Sequence, residues 1–289
     1  MHRLNSLSRG FSLIELMITL VLGLIISGAI VQVLVSNQVT ERLNRGIASA
    51  QESGRFIMTR LRNELLETGR YDSLDPNLER SVDVVPEAAF VQNHPIILPG
   101  DFPLQPVLGS TQGANGGDDV LVAGMQAGQD CRGYKLGYAD TEQFYVVNRY
   151  FVEDNKLKCV GFDGRVLAGQ KVAVGNNGDA AFTLLDDVYG FQVLYAIANA
   201  AITNDSSGRP VNYVTADNVA AQILAGGQVV AIQVAVLVKG ESELYIDKVP
   251  TFKLLNEDSF SPTDHQLYKQ FETTISFRNV KNFLRSNNQ

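Results

Sequence analysis

Three hydrophobic patterns follow one another along the chain. From Phe11 to about Val35 the residues are almost all apolar, and Glu15 is the only charge. From Val39 onward apolar residues recur at steps of three and four: Val39, Leu43, Ile47, Ala50, Gly54, Ile57, Leu61 and Leu65. Arg42, Glu52, Arg60 and Glu64 lie off that stripe, so the spacing predicts an amphipathic helix with one buried face. No proline occurs before Pro76, and Gly69 offers a C-terminal stop. The two segments therefore read as one helix of about 55 residues, ~80 Å long. Its first half is bare and its second half lies on a domain.

After Gly69 the character changes. The stretch "HPIILPGDFPLQPVLG" holds four prolines and runs into "GSTQGANGGDD", which reads as extended loop. The third pattern is strand-like, rich in β-branched and aromatic residues. It covers Asp119–Ala123, Phe144–Val152, Lys156–Phe162, Gly190–Ile197, Val229–Val238 and Phe271–Asn279. Asp154-Asn155 supplies a hairpin turn between the second and third of these, and Ala216–Ala225 is a short helix. No strand alternates with a crossover helix, which favours an antiparallel sheet over a doubly wound one. The expected fold class is α+β: a long N-terminal helix leading into an antiparallel β-sheet head, shaped like a lollipop. The expected segments are a leader (1–10), a membrane-embedded part of the helix (11–35), its amphipathic second half (36–69) and a head (70–289).

The apolar run is long enough, at roughly 37 Å, to cross a bilayer with some tilt. Arg3 and Arg9 precede it, and basic residues favour the cytoplasmic side, so the body is expected outside. An ordinary secretory signal places small residues after its apolar region. Here the strong small-residue junction, Gly10–Phe11, comes before it. Cleavage there leaves the anchor attached and creates a cationic amine at Phe11, one helical turn from Glu15. A carboxylate in hydrocarbon is costly and is retained where it finds a partner. Glu15 is therefore expected to pair with such an amine, its own or that of a neighbouring subunit, fixing the axial register of packed helices.

The segment "RGFSLIELMITLVLGLIISG" resembles the N-terminal signal of type IV prepilins and pseudopilins. That resemblance implies a prepilin peptidase that cuts after Gly10 and methylates Phe11, with Glu15 at the fifth mature position. The head pieces "GQDCRG", "LKCVG", "DDVYGFQVLYAI" and "YKQFETTISFRN" resemble PilW-type minor pilins, which share a cysteine pair and a final strand ending in Arg-Asn. Many members carry a tryptophan ahead of the strand that here begins at Val229; this chain has none, and Gln228 stands near that place. The resemblance implies a structural subunit that primes or joins type IV pilus assembly, serving motility, adhesion or DNA uptake downstream. The partners implied are other minor pilins, the major pilin, the prepilin peptidase and the inner-membrane assembly platform. The location implied is the inner membrane with the head in the periplasm, then the pilus fibre. The alternative is a minor pseudopilin of a type II secretion system.

Charge and chemistry narrow the reading further. Without residues 1–10 the chain carries 22 basic and 31 acidic side chains, so its body repels phosphate backbones and nucleic acid is not an expected partner. Cys131 and Cys159 are the two cysteines, too few for a structural zinc site. Outside the cytoplasm they would close a loop of about 28 residues, worth roughly 3–4 kcal/mol, and inside it they would be buried thiols. His94 and His265 read as exposed loop residues with no catalytic motif around them. Asp118-Asp119, Asp186-Asp187, Glu257-Asp258 and Asp264 read as solvated turn ends without the ligand spacing of a calcium loop. No cofactor, metal or enzymatic activity is expected. Gly23 and Ser27 form a small-xxx-small pair that lets neighbouring apolar helices approach closely.

Overall fold

The computed structural model describes residues 10–199, 208–241 and 246–279. The leader 1–9, with Arg3 and Arg9, lies outside the described residues. One helix, α1 (Leu13–Leu65), runs through both the apolar run and the amphipathic stripe. It ends four residues before Gly69, because 66–69 tighten into turns and Gly69 takes a left-handed φ of 73°. The Gly69 N–H donates to the Gly124 carbonyl at 2.9 Å, which turns the chain into the head.

Among the described residues eight strands build two four-stranded antiparallel sheets rather than a single one. The first holds β1 (Leu121–Ala127), β2 (Phe144–Glu153), β3 (Lys156–Asp163) and β4 (Phe182–Leu185), in that order. The second is ordered β6-β5-β7-β8, with β5 (Val188–Ala198), β6 (Pro210–Val214), β7 (Gln228–Lys239) and β8 (Tyr268–Ser276). Asp154 and Asn155 both adopt positive φ, 53° and 55°, closing the β2–β3 hairpin as their sequence predicts. The strands absent from the sequence reading, β4 and β6, are edge strands, and β6 opens on Pro210 as only an edge allows. A further helix, α2 (Val84–Asn93), tolerates Pro86 because it falls in the first turn, where no N–H is needed. Asp83 caps it by accepting from the Val85 N–H at 3.1 Å. A short turn of helix, α3 (Gly164–Leu167), follows β3, and α4 (Ala216–Leu224) precedes β7.

The main core joins three layers: Ile57, Leu61 and Leu65 of α1, Leu121 and Tyr150 of the first sheet, and Phe191, Val193 and Val234 of the second. Each fully buried aliphatic side chain contributes about 1.5–3 kcal/mol, so the lower stem is firmly part of the head. Gly54 is essential to the fit, since a Cβ there would lie 2.0 Å from the Phe271 ring of β8. The upper stem is the reverse: Phe11, Leu13 and Ile14 are 86%, 80% and 67% exposed, and exposure continues through Val39. The described residues thus contain a helix whose first half is apolar on every side and whose second half is a core element.

Candidate functional site: the stem and its seat in the head

The stem begins with three exposed residues outside the helix, Gly10, Phe11 and Ser12. Nothing lies within 4 Å of where a Gly10 Cβ would stand. Ser12 is the N-cap, with extended backbone, and Glu15 occupies the third helical position. A Glu15 carboxylate oxygen accepts from the Ser12 N–H at 3.4 Å, half of a capping box, and its charge complements the helix N-terminus. Glu15 thus has a local role that its place in an apolar run does not disclose. Gly23 and Gly28 face open space along the same bare stem.

The other end of the stem is held by polar groups as well as by the core. Arg60 and Glu64 form an ion pair at 3.0 Å. They are not a solvated pair, because the Tyr150 hydroxyl donates to Glu64 at 2.6 Å and Arg60 donates to the Cys131 carbonyl at 2.9 Å. Cys131 and Cys159 form a disulfide with Cα atoms 6.4 Å apart. Asn148 of β2 accepts from the Cys131 N–H at 3.0 Å. The bridge therefore fixes the loop that Arg60 grips to strand β3, and it links stem, loop and sheet. Buried Asp130 and Arg132 brace the same loop with hydrogen bonds of 2.9 and 2.7 Å, and Arg132 donates onward to the Gly161 carbonyl at 2.9 Å.

The acidic pair Asp118-Asp119 is not a solvated turn end. Asp119 is 2% exposed and accepts from the Gly113 and Val193 N–H groups at 2.7 and 2.8 Å. Asp118 accepts from the Phe191 N–H at 2.7 Å, so the pair clamps the glycine-rich loop onto β5. Burial pushes the Asp119 carboxyl up to about 6; the two N–H bonds oppose that rise, and Glu257 and Asp118 add to it. A carboxyl whose proton is held more tightly folded than unfolded stabilises the fold fully below the unfolded value. That contribution is lost as pH rises from about 4 to about 6. Carbon-detected NMR of the Asp119 carboxyl should find its midpoint near 6, and a midpoint near 4 would contradict the burial argument. Asp119→Ala should cost about 2–3 kcal/mol by stranding two backbone donors.

The remaining singled-out residues have local partners in the fold. His94 terminates α2, half-buried, with its ring stacked on Phe90 at 4.4 Å. His265 is half-buried, with Nδ1 2.8 Å from the Ile246 carbonyl oxygen. Neither is the exposed loop residue that the sequence predicts. Asp186 and Asp187 are exposed, and Asp186 pairs with Lys156 at 2.8 Å. Glu257 is half-buried and accepts from Gln112 at 2.7 Å, while Asp264 accepts from the Tyr268 hydroxyl at 2.7 Å. Among the described residues no group of three His, Cys, Asp or Glu side chains is placed to hold a metal ion.

Two family models match different parts of this arrangement. The prokaryotic N-terminal methylation motif matches residues 5–31, the junction and bare stem. The family described as Type IV Pilus-assembly protein W matches residues 143–279, from β2 through β8. The two matches support reading the chain as a type IV pilin of the PilW type. Among solved structures it is similar to a type IV-like pilin from Thermus thermophilus, at 13% identity and a TM-score of 0.32, over 59% of this chain and 83% of that one. No curated protein matches it. The PilW match begins just before β2 and therefore leaves α2, β1 and the disulfide's first cysteine outside it, although Cys131 is bonded to Cys159 within it. The motif match includes Gly10, Phe11 and Glu15, and the apolar helix it opens is suited to anchoring in a membrane.

Proposed function

We propose that this PilW-type pilin is a minor pilin that primes or joins type IV pilus assembly as a structural filament subunit. It is cleaved after Gly10, methylated at Phe11, and held in the inner membrane with its head in the periplasm before it enters the fibre. Other minor pilins and the major pilin are its partners there, with the prepilin peptidase and the assembly platform acting on it. Its role is mechanical and non-catalytic. The observation that carries this reading is the division of α1 at about residue 40. One half is exposed apolar surface with a carboxylate in its first turn, and the other half is built into the head. A bare stem of that kind is stable only in lipid or packed against other stems. The match to the pilus-assembly family favours the pilus over a secretion pseudopilus.

The test is intact-mass analysis of the protein purified from membranes, together with identification of what co-purifies. The expected species starts at N-methylated Phe11 and brings other small pilin-like chains with it. A chain starting near Ala29, having shed the stem, would overturn the proposal.

A further inference from the structure

The disulfide lies in the seat of the stem. Cys131 and Cys159 share one apolar cluster with Ile57, Leu61 and Leu65 of α1 and with Leu184 of β4. Cys159 is fully buried and Cys131 is 6% exposed. Cys159 stands directly opposite Tyr150 of β2 on one side and Phe182 of β4 on the other. Both neighbours reach the same turn of the stem. Tyr150 donates to Glu64 at 2.6 Å, and the Arg60 guanidinium lies 5.9 Å from the centre of the Phe182 ring. Arg60 also donates to the Cys131 carbonyl at 2.9 Å. One turn of α1 thus contacts the backbone of one cysteine and both cross-strand neighbours of the other.

Thiol–disulfide exchange depends on access as well as on reactivity, because a third sulfur must approach in line with the bond that breaks. Formation of the bridge obeys the same rule. One cysteine thiol attacks the disulfide of an exchange partner, giving a mixed disulfide and releasing one partner thiol. The second cysteine then attacks the bonded cysteine sulfur and releases the other. Two cysteine thiols are oxidised, one partner disulfide is reduced to two thiols, and the two protons end on the partner. A cluster packed at protein density has no room for a third sulfur while the stem is seated. The turn that covers it is held by side-chain contacts, whereas β5 and β7 share a ladder from Val188 to Ala198. Opening the turn therefore costs less than opening the sheet. Without the bridge the loop keeps two other holds, Asn148 accepting from the Cys131 N–H and Arg132 donating to the Gly161 carbonyl.

We infer that residues 57–65 of α1 are a lid on the disulfide: the sulfurs exchange only when this stretch lifts, and the bridge, once made, holds it down. The two halves are one statement by linkage. Whatever the seated stem adds to the stability of the bridge, the bridge adds to the seating of the stem. The bridge therefore closes before the stem settles, and its closing latches stem to head in a compartment that supplies disulfide oxidants. The inference concerns the folded chain alone and does not rest on the filament-subunit reading.

The test uses the full chain in detergent micelles with dithiothreitol as the reductant. Freed thiols are alkylated and counted by mass, and amide hydrogen exchange is followed at 57–65 and in β5 and β7. Reduction is expected to be on the order of a hundredfold slower in the folded chain than in urea. Arg60→Met, which keeps apolar bulk on the stem and removes its hydrogen bonds, should speed reduction about tenfold. Exchange at 57–65 should quicken with it while β5 and β7 stay protected. Replacing both cysteines, Cys131→Ser with Cys159→Ser, should quicken exchange at 57–65 more than in β5 and β7. Leu61→Ala repeats the measurement where Arg60→Met fails to fold. Reduction as fast in the folded chain as in urea would overturn the inference. So would a rate that neither stem variant changes, or an acceleration that β5 and β7 share equally.

Discussion

For the filament subunit proposed above, Glu15→Ala should leave membrane insertion intact and reduce incorporation into filaments at least tenfold. The first half of this expectation follows from the bilayer. Removing a carboxylate from an apolar run makes insertion easier, since such a charge costs about 3 kcal/mol or more at the bilayer centre and less near the interface. The second half follows from what the carboxylate does once Phe11 carries a free amine. Opposite charges in low dielectric interact strongly, and losing about 1.4 kcal/mol per interface is already a factor of ten. The capping bond to the Ser12 N–H supplies a competing explanation for any loss, because alanine removes that bond too. Glu15→Gln separates the two. Glutamine can complete a capping box as glutamate does but carries no charge. If Glu15→Gln subunits enter filaments normally, the residue serves the helix terminus and the pairing role fails. If glutamine is as poor as alanine, the charge is what the neighbouring subunit reads. Quantitative immunoblotting of sheared pili against membrane fractions makes the comparison.

The stem was legible in the sequence because its information is local. An unbroken apolar run and a three-four stripe are set by neighbours within one or two turns, and α1 covers both. The six predicted strands exist for the same reason, each having enough β-branched residues to be recognised alone. What escaped was either weak locally or defined by distant partners. Strand β4 is four residues long, and β6 begins with a proline and is mostly exposed. With both edges unseen, nothing showed that the strands divide between two sheets. Helix α2 was hidden by Pro86, which breaks a helix anywhere except in the first turn that it occupies here.

The polar residues show the limit more sharply. Asp118-Asp119 follows a glycine cluster and looks solvated, yet the backbone groups that bury it lie 73 and 74 residues onward in β5. Arg60 and Glu64 have the i,i+4 spacing of a surface pair, and only the fold brings Tyr150, 86 residues from Glu64, onto the carboxylate. The cysteine pair was visible as a possibility, and its compartment decided between disulfide and thiols. In the structure the two are bonded, with Asn148 and Arg60 holding the loop in place. Candidate chemistry at loop acids was thus read by residue type, whereas burial and partner determine what those acids do.

Glu87→Leu will destabilise the head by about 3–5 kcal/mol, a large share of the 5–15 kcal/mol typical of a folded domain. The reason is a cation with nowhere else to go. Arg165 is fully buried in α3, and Glu87 of α2 accepts from its Nε and a terminal nitrogen at 2.8 Å each. Glu79 adds its carboxylate and its carbonyl, the latter at 2.8 Å. The Tyr71 hydroxyl donates to Glu87 at 2.5 Å, which ties the segment after α1 into the same network. Burial alone would draw the guanidinium's pKa down, but the hydrogen bonds and charge of Glu87 hold it above its ordinary value. Deleting Glu87 removes two charged acceptors at once and leaves the cation facing Glu79 alone. Tyr71→Phe should cost only about 1–2 kcal/mol, since the Arg165–Glu87 pair survives it. Urea unfolding of the full chain in mild detergent, followed by near-ultraviolet tyrosine dichroism because the chain has no tryptophan, measures both. A Glu87→Leu midpoint no lower than that of Tyr71→Phe would mean that the pair contributes no more than its outermost hydrogen bond. The network would then be orienting α2 and α3 without holding the head together.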